Sequence, residues 1–207
     1  MKPTFLHIGK CGGGTIRSIL SKNNLGVEII HAKGKSLGGS PKKIIIPVRD
    51  PIDRYVSAFN WRRADVPTVK LSMEEKETFE TFQTANQMAM ALSKSGKLKE
   101  SAEKGFNNVA HVCQSVSGFL GGKDFAEDLY LKGSKFYIIE IDDLIKNAER
   151  EIKKCFDLSD LNVDVKNKHV STKTPISTFL NECAIENLLN YYKEDYECIK
   201  LLKMISE

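Results

Sequence analysis

Apolar and polar positions change places along this chain in short blocks. Thr4 to Ile8 is an apolar run that reads as a buried first strand, and it breaks at once into Gly9-Lys10-Cys11-Gly12-Gly13-Gly14-Thr15. Beyond the glycines, Ile16, Ile19 and Leu20 share one face at helical spacing, which predicts a helix over 14–22. Val27 to His31 reads as a second strand. Ala32 to Lys43, with three glycines, Pro41 and four lysines, reads as a mobile basic loop. Ile44 to Val48 is a continuous apolar run, the pattern of a strand covered on both faces of a parallel sheet. A helix start follows it, with Asp50 as cap, Pro51 in first position and Asp53 in third.

The remainder is more polar. Lys, Glu, Ser and Thr dominate residues 62–105, where the pattern predicts a helix over 74–95 and a flexible stretch at Ser95-Gly96-Lys97. A helix over 107–117 is expected to end at Gly118, and Gly121-Gly122 marks a turn. Phe136 to Glu140 reads as a late strand leading into an amphipathic helix over 142–155. Residues 157–176 read as a loop carrying Lys166, Lys168 and Lys173. Asn181 then caps a long terminal helix, with Ile185, Leu188, Leu189, Tyr192, Tyr196 and Ile199 along one face. Strands alternating with helices imply a single α/β domain over residues 1–207, three-layered, around a mostly parallel sheet. Ligands of such sheets bind beyond the carboxyl ends of the strands, where the glycine turn and the Arg49 turn both fall.

Composition narrows the class. With 41% hydrophobic and 28% charged residues the chain suits a soluble globular protein, and no apolar run approaches the roughly 18 residues of a membrane span. Met1-Lys2-Pro3-Thr4 enters a strand directly, leaving no room for a signal peptide. Five cysteines without close pairing predict reduced thiols and a cytoplasmic setting. With no C-x-x-C and no histidine pair at ligand spacing, no metal is expected. The net charge of +4 is uneven. Residues 1–63 hold 12 Lys/Arg against 3 Asp/Glu, and the remaining 144 hold 19 against 24. The positive charge thus gathers around the two turns. No aromatic platform or recognition helix accompanies it, so the expected partner is a small polyanion, with neither nucleic acid nor membrane. Oligomeric state is not set by these features.

The chemistry of the turns is that of anion binding. Gly9-x4-Gly14-Thr15 is P-loop-like, yet it lacks the lysine that should follow the last glycine; the lysine stands early, at Lys10. Backbone N–H groups from Gly12 to Thr15 sit at a helix start, where partial positive charge favours phosphate. Arg49 offers a planar fork for a second phosphate, and Ser57 lies two helical turns further on. Two such cups suggest a ligand with phosphate at both ends.

His7-Ile8-Gly9-Lys10-Cys11-Gly12-Gly13-Gly14-Thr15-Ile16 resembles the opening motif H-I-P-K-T-G-G-T-S-L of the carbohydrate branch of the sulfotransferases. That family uses 3′-phosphoadenosine 5′-phosphosulfate (PAPS). Gly9 replaces the proline, Cys11 and Gly14 the two threonines, and Thr15 the serine. Arg49-Asp50-Pro51-Ile52-Asp53-Arg54-Tyr55-Val56-Ser57 resembles the family's R-D-P-x-x-R-x-x-S signature. Weaker likenesses are Gln114 to Gly118, Tyr137 to Glu140 and Asn190 to Tyr196, which are read as fold markers.

The resemblance implies a PAPS-dependent enzyme that needs no metal and transfers a sulfuryl group to an acceptor hydroxyl or amine on a carbohydrate or small molecule. Lys10, Cys11, Gly12, Gly13, Gly14 and Thr15 would hold the 5′-phosphosulfate, with Lys10 catalytic and Thr15 supplying the hydroxyl lost at Gly14. Arg49 and Ser57 would bind the 3′-phosphate. The base is expected between the two motifs, which selects His31, with Glu28 and His111 as alternatives. His7 is expected to be buried and structural. Arg54 either serves the site or pairs with Asp50 or Asp53. Trp61 either lines a ligand site or packs. Lys33, Lys35, Lys42 and Lys43 either favour an anionic acceptor or are solvated loop charges, and His169 belongs to a loop closing over the nucleotide. Two other readings stand beside this one. A nucleotide kinase or other P-loop NTPase would need a lysine after Gly14 and magnesium ligands; a non-catalytic nucleotide-binding protein would keep the fold alone.

Overall fold

The computed structural model describes residues 2–31, 41–64, 70–156, 158, 163 and 177–206. Lys33, Lys35, Lys166, Lys168, His169 and Lys173 lie outside them, and with them most of the two expected loops. The chain divides into two compact units. Met1–Arg49, Val116–His169 and Glu194–Glu207 form a sheet unit; Asp50–Ser115 and Val170–Lys193 form a helical unit.

The sheet unit is α/β. Its strands β1 (Thr4–Leu6), β2 (Glu28–Ile30), β3 (Lys43–Val48) and β4 (Lys135–Glu140) are all parallel, in the order β2-β1-β3-β4. The two-residue period of a strand divides its apolar residues between two faces. Leu6, Ile44, Ile46 and Phe136 pack with Val116, Phe119, Leu120, Leu129, Cys198 and Leu202 of helices α6 (Val116–Leu120), α7 (Lys123–Leu131) and α11 (Lys193–Ile205). Phe5, Ile45 and Ile139 pack on the other side. There they meet Ile16, Ile19, Leu144 and Ile152 of α1 (Gly13–Lys22), α8 (Ile141–Lys146) and α9 (Ala148–Cys155). Helices on both faces explain why Ile44-Ile45-Ile46 is apolar without alternation. Asp195, 1% exposed at the start of α11, accepts hydrogen bonds from the N–H groups of Val116 (3.1 Å) and Ser117 (3.0 Å) and from Ser117 Oγ (2.6 Å). It thereby caps α6 from a segment 78 residues away.

The helical unit holds α2 (Pro51–Ala64), α3 (Met73–Thr81), α4 (Ala85–Ala91), α5 (Lys97–Asn108) and α10 (Glu182–Tyr191). Tyr55 anchors its core. Its ring stacks on Phe106 at 5.0 Å and 5°, and its hydroxyl donates to the Ala85 carbonyl at 2.8 Å. Burial, and then the neighbouring Tyr192, push the Tyr55 hydroxyl well above its ordinary range, so it stays a neutral donor.

The helix boundaries depart from the sequence reading at identifiable residues. The expected helix over 74–95 is two helices, because Phe82 is extended and Thr84 and Gln87 form a capping box that starts α4. Ser95-Gly96-Lys97 is a helix start, with Gly96 (φ 63°) as the cap of α5. The helix expected over 107–117 is instead the end of α5, a turn over 109–115 and α6, which contains Gly118. Asn147 divides 142–155 by accepting from Arg150 N–H at 3.0 Å. The terminal helix breaks at Tyr192, so its predicted face does not exist: Leu188 and Tyr192 are buried, while Ile185 and Leu189 are exposed. Among the described residues no helix is long and apolar enough to cross a membrane.

Candidate functional site

The glycine turn leaves β1 in two tight steps. Ile8 N–H bonds to the Leu6 carbonyl at 3.0 Å and Cys11 N–H to the Ile8 carbonyl at 3.4 Å. Lys10 (φ 67°) and Gly12 (φ 79°) are both left-handed, a conformation that costs a side-chain-bearing residue like lysine about 1–2 kcal/mol. Gly12 is required twice over, since a Cβ there would also lie 2.5 Å from Ile141 Cδ1. Gly13 and Gly14 open α1, where N–H groups have no intrahelical acceptor. Thr15 N–H, by contrast, donates to the Gly12 carbonyl at 3.0 Å, so the row of anion donors expected from Gly12 to Thr15 stops short of Thr15 N–H. Cys11 is fully buried in the core beside Leu6, Ile8 and Val48.

Arg49 follows β3, which pairs with β1 in the register Thr4↔Ile44 and Phe5↔Ile45. The glycine turn and Arg49 therefore leave the carboxyl ends of adjacent parallel strands within one unit. That position is also where the sheet order reverses: β1 runs on to β2 at one side, and β3 lies at the other. Open parallel sheets bind ligands beyond the carboxyl ends of their strands, at such a reversal of strand order. Ser57 stands on α2 in the helical unit, half-buried.

His31 is exposed just beyond β2, and its Nδ1 lies 2.9 Å from Nδ1 of His7. The two rings meet edge to face with centroids 4.6 Å apart. His7 is half-buried rather than buried, tied through its N–H to the Ile30 carbonyl at 2.9 Å and stacked on Phe5. The pairing follows from register, because Leu6↔Ile30 brings the next residue of each strand side by side. Glu28 begins β2 opposite Thr4, three residues and about 10 Å of extended chain from His31.

A second cluster lies in the helical unit. Arg54 is fully buried and pairs through neither of the expected aspartates. Its Nη1 donates to the His111 carbonyl at 2.7 Å, and its guanidinium lies 5.6 Å from the Tyr192 ring centroid. The Asp50 carboxylate instead accepts from Ile52 N–H (2.9 Å) and Asp53 N–H (3.0 Å), the predicted helix cap. His111 is left-handed (φ 66°), its ring meets Trp61 at 5.1 Å, and its Nδ1 lies 3.2 Å from Gln114 Oε1. Gln114, expected as a fold marker, is thus a side-chain partner of His111.

The same turn is held by a carboxylate that sequence reading missed. Glu75 takes Arg62 Nε and Nη2 at 2.6 Å each, Ala110 N–H at 3.0 Å and Ser72 N–H at 2.9 Å. Burial pushes the Glu75 carboxyl upward, but the bonds from Arg62, Ala110 and Ser72 outweigh it and hold it below the ordinary glutamate range. The capping-box spacing of Ser72 and Glu75 was the available signal, though nothing in it reveals Arg62.

Of the remaining candidates, Lys43 lies 4.4 Å over the Tyr137 ring, a contact within the sheet unit, and Lys42 is exposed. Burial pushes the Cys155 and Cys198 thiols up to about 12, which leaves them unreactive at neutral pH. Lys10, the turn from Cys11 to Thr15, His31 and Arg49 belong to the sheet unit, whereas Ser57 and His111 belong to the helical unit. No family model matches this chain, and neither does any curated protein or solved structure.

Proposed function

We propose that this chain is a PAPS-dependent sulfotransferase acting on a hydroxyl or amine of a carbohydrate or small-molecule acceptor. The observation that carries the reading is the placement of two motif-bearing turns, Gly9–Thr15 and Arg49, on neighbouring strand ends at the point where the sheet order reverses. The residues there suit the ligand. Gly13 and Gly14 N–H groups and the Thr15 hydroxyl are donors for a 5′-phosphate, Lys10 adds a full charge, and Arg49 is a fork for the 3′-phosphate. Ser57 enters through its motif alone.

In this reading the acceptor oxygen attacks sulfur in line, and the bond from sulfur to the bridging phosphate oxygen breaks. Negative charge grows on that oxygen, where the Lys10 ammonium stabilises it. The acceptor proton passes to His31. The test is calorimetric titration with adenosine 3′,5′-bisphosphate in the absence of metal, and separately with ATP and magnesium. Binding of the bisphosphate and not of ATP is the expected result. ATP–magnesium binding without bisphosphate binding would overturn the reading in favour of a nucleotide kinase.

A further inference from the structure

The contact between His7 and His31 has a chemical consequence. Two ring nitrogens 2.9 Å apart hold one hydrogen between them: one nitrogen donates and the other accepts. Neither ring is then free to choose its tautomer. The His7 backbone is held by its amide N–H bond to the Ile30 carbonyl, and its ring by stacking on Phe5 and by Gly13, whose absent Cβ would lie 2.0 Å from His7 Cδ2 and 2.5 Å from its Nε2. His31 is exposed at the end of β2 and finds its partner in that anchored ring.

We propose that His7 is the positioning residue for His31. Its Nδ1 accepts the Nδ1–H of His31 and so places the lone pair of His31 on Nε2, where the acceptor's proton is taken. This is the role that a carboxylate or carbonyl plays behind other basic histidines. The assignment of His31 as base rests on the sulfuryl-transfer reading. In the step itself the acceptor O–H bond breaks and its proton moves to His31 Nε2. The acceptor oxygen bonds to sulfur, and the electron pair of the broken S–O bond leaves with the nucleotide phosphate. The resulting His31 imidazolium keeps its Nδ1–H on neutral His7, now as a charge-assisted bond. Because His7 also abuts Gly13, one ring ties the basic group to the first turn of the helix that opens the glycine cup.

Long-range proton–nitrogen correlation spectra of the full chain at neutral pH test the tautomer without any assay. The expected result is His31 protonated at Nδ1 and unprotonated at Nε2. His7→Asn keeps an acceptor in the place of Nδ1 and retains that pattern, whereas His7→Leu shifts His31 towards the mixture of a free imidazole. In the sulfuryl-transfer assay His7→Leu lowers kcat roughly 10–100-fold, as loss of an orienting partner does, with KM for PAPS little changed, and His7→Asn recovers most of the loss. A wild-type spectrum with the proton on His31 Nε2 overturns the proposal even if His7→Leu fails to fold, and so does a folded His7→Leu with an unchanged His31 spectrum. If the spectra agree but no sulfuryl transfer is found and the bisphosphate does not bind, the functional reading fails and the histidine pair stands.

Discussion

The imidazole of His7 occupies the space that a side chain at Gly13 would need, with Cδ2 2.0 Å from the position of a Cβ. Gly13→Ala must therefore displace the ring or the first turn of α1. The expected cost is about 1–3 kcal/mol, typical of an extra methyl forced into a packed site. In a His7→Ala background the same substitution is expected to cost much less. Urea unfolding of the two single variants and the double variant measures this coupling, and additive costs would show that the ring and the glycine do not compete for space.

On the sulfuryl-transfer reading, substitutions at Lys10 separate folding from chemistry. Its left-handed backbone costs about 1–2 kcal/mol, and Lys10→Gly removes that cost while loosening the unfolded chain by a comparable 0.5–1 kcal/mol. Stability is therefore expected to stay within about 1 kcal/mol of the parent. Turnover is expected to collapse in Lys10→Gly and Lys10→Ala alike, with bisphosphate binding much less affected. Unchanged turnover in either variant would remove Lys10 from the mechanism.

On the sulfuryl-transfer reading, Arg49→Ala leaves the 3′-phosphate without its fork. Affinity for adenosine 3′,5′-bisphosphate is expected to fall by about 2–5 kcal/mol, as when one partner of a desolvated charged contact is truncated. Calorimetry that finds equal affinity in parent and variant would place the second phosphate elsewhere.

Glu75 sets an acid limit on the helical unit. Its native carboxyl titrates below the ordinary glutamate range, so its contribution is complete above that range and is lost as pH falls through the depressed native value. Glu75→Ala is expected to cost about 3–5 kcal/mol near neutral pH, because it strands the buried Arg62 guanidinium as well as the Ala110 N–H. Denaturation followed from pH 7 to pH 3 should show a smaller loss of stability in Glu75→Gln than in the parent.

The strands and the Asp50 cap were legible because each rests on contiguous residues: three consecutive isoleucines, or an aspartate directly before a proline. Helix breaks at Phe82, Asn147 and Tyr192 were not, since an apolar period of 3.6 can run through a capped interruption without a visible change. The two turns of the candidate site were legible as motifs, and strand register decided what stands beside them. His7 and His31 are 24 residues apart, and only the pairing of β1 with β2 makes them neighbours. Arg54 was read against nearby aspartates, yet its partner is a backbone carbonyl 57 residues away. Local charge spacing carries no information about such a contact.

Asp195 also ties the start of α6 to a helix distant from it in sequence. α11 contributes Cys198 and Leu202 to the layer that covers one side of β1 and β3, and its Asp195 carboxylate caps α6. A nascent chain still tethered at residue 190 has made the four described strands and helices α6 and α7 but lacks Cys198 and Leu202, so one face of its sheet is only partly covered. A frameshift shortly before Asp195 would spare every residue of the glycine turn and still remove these contacts from the layer behind it.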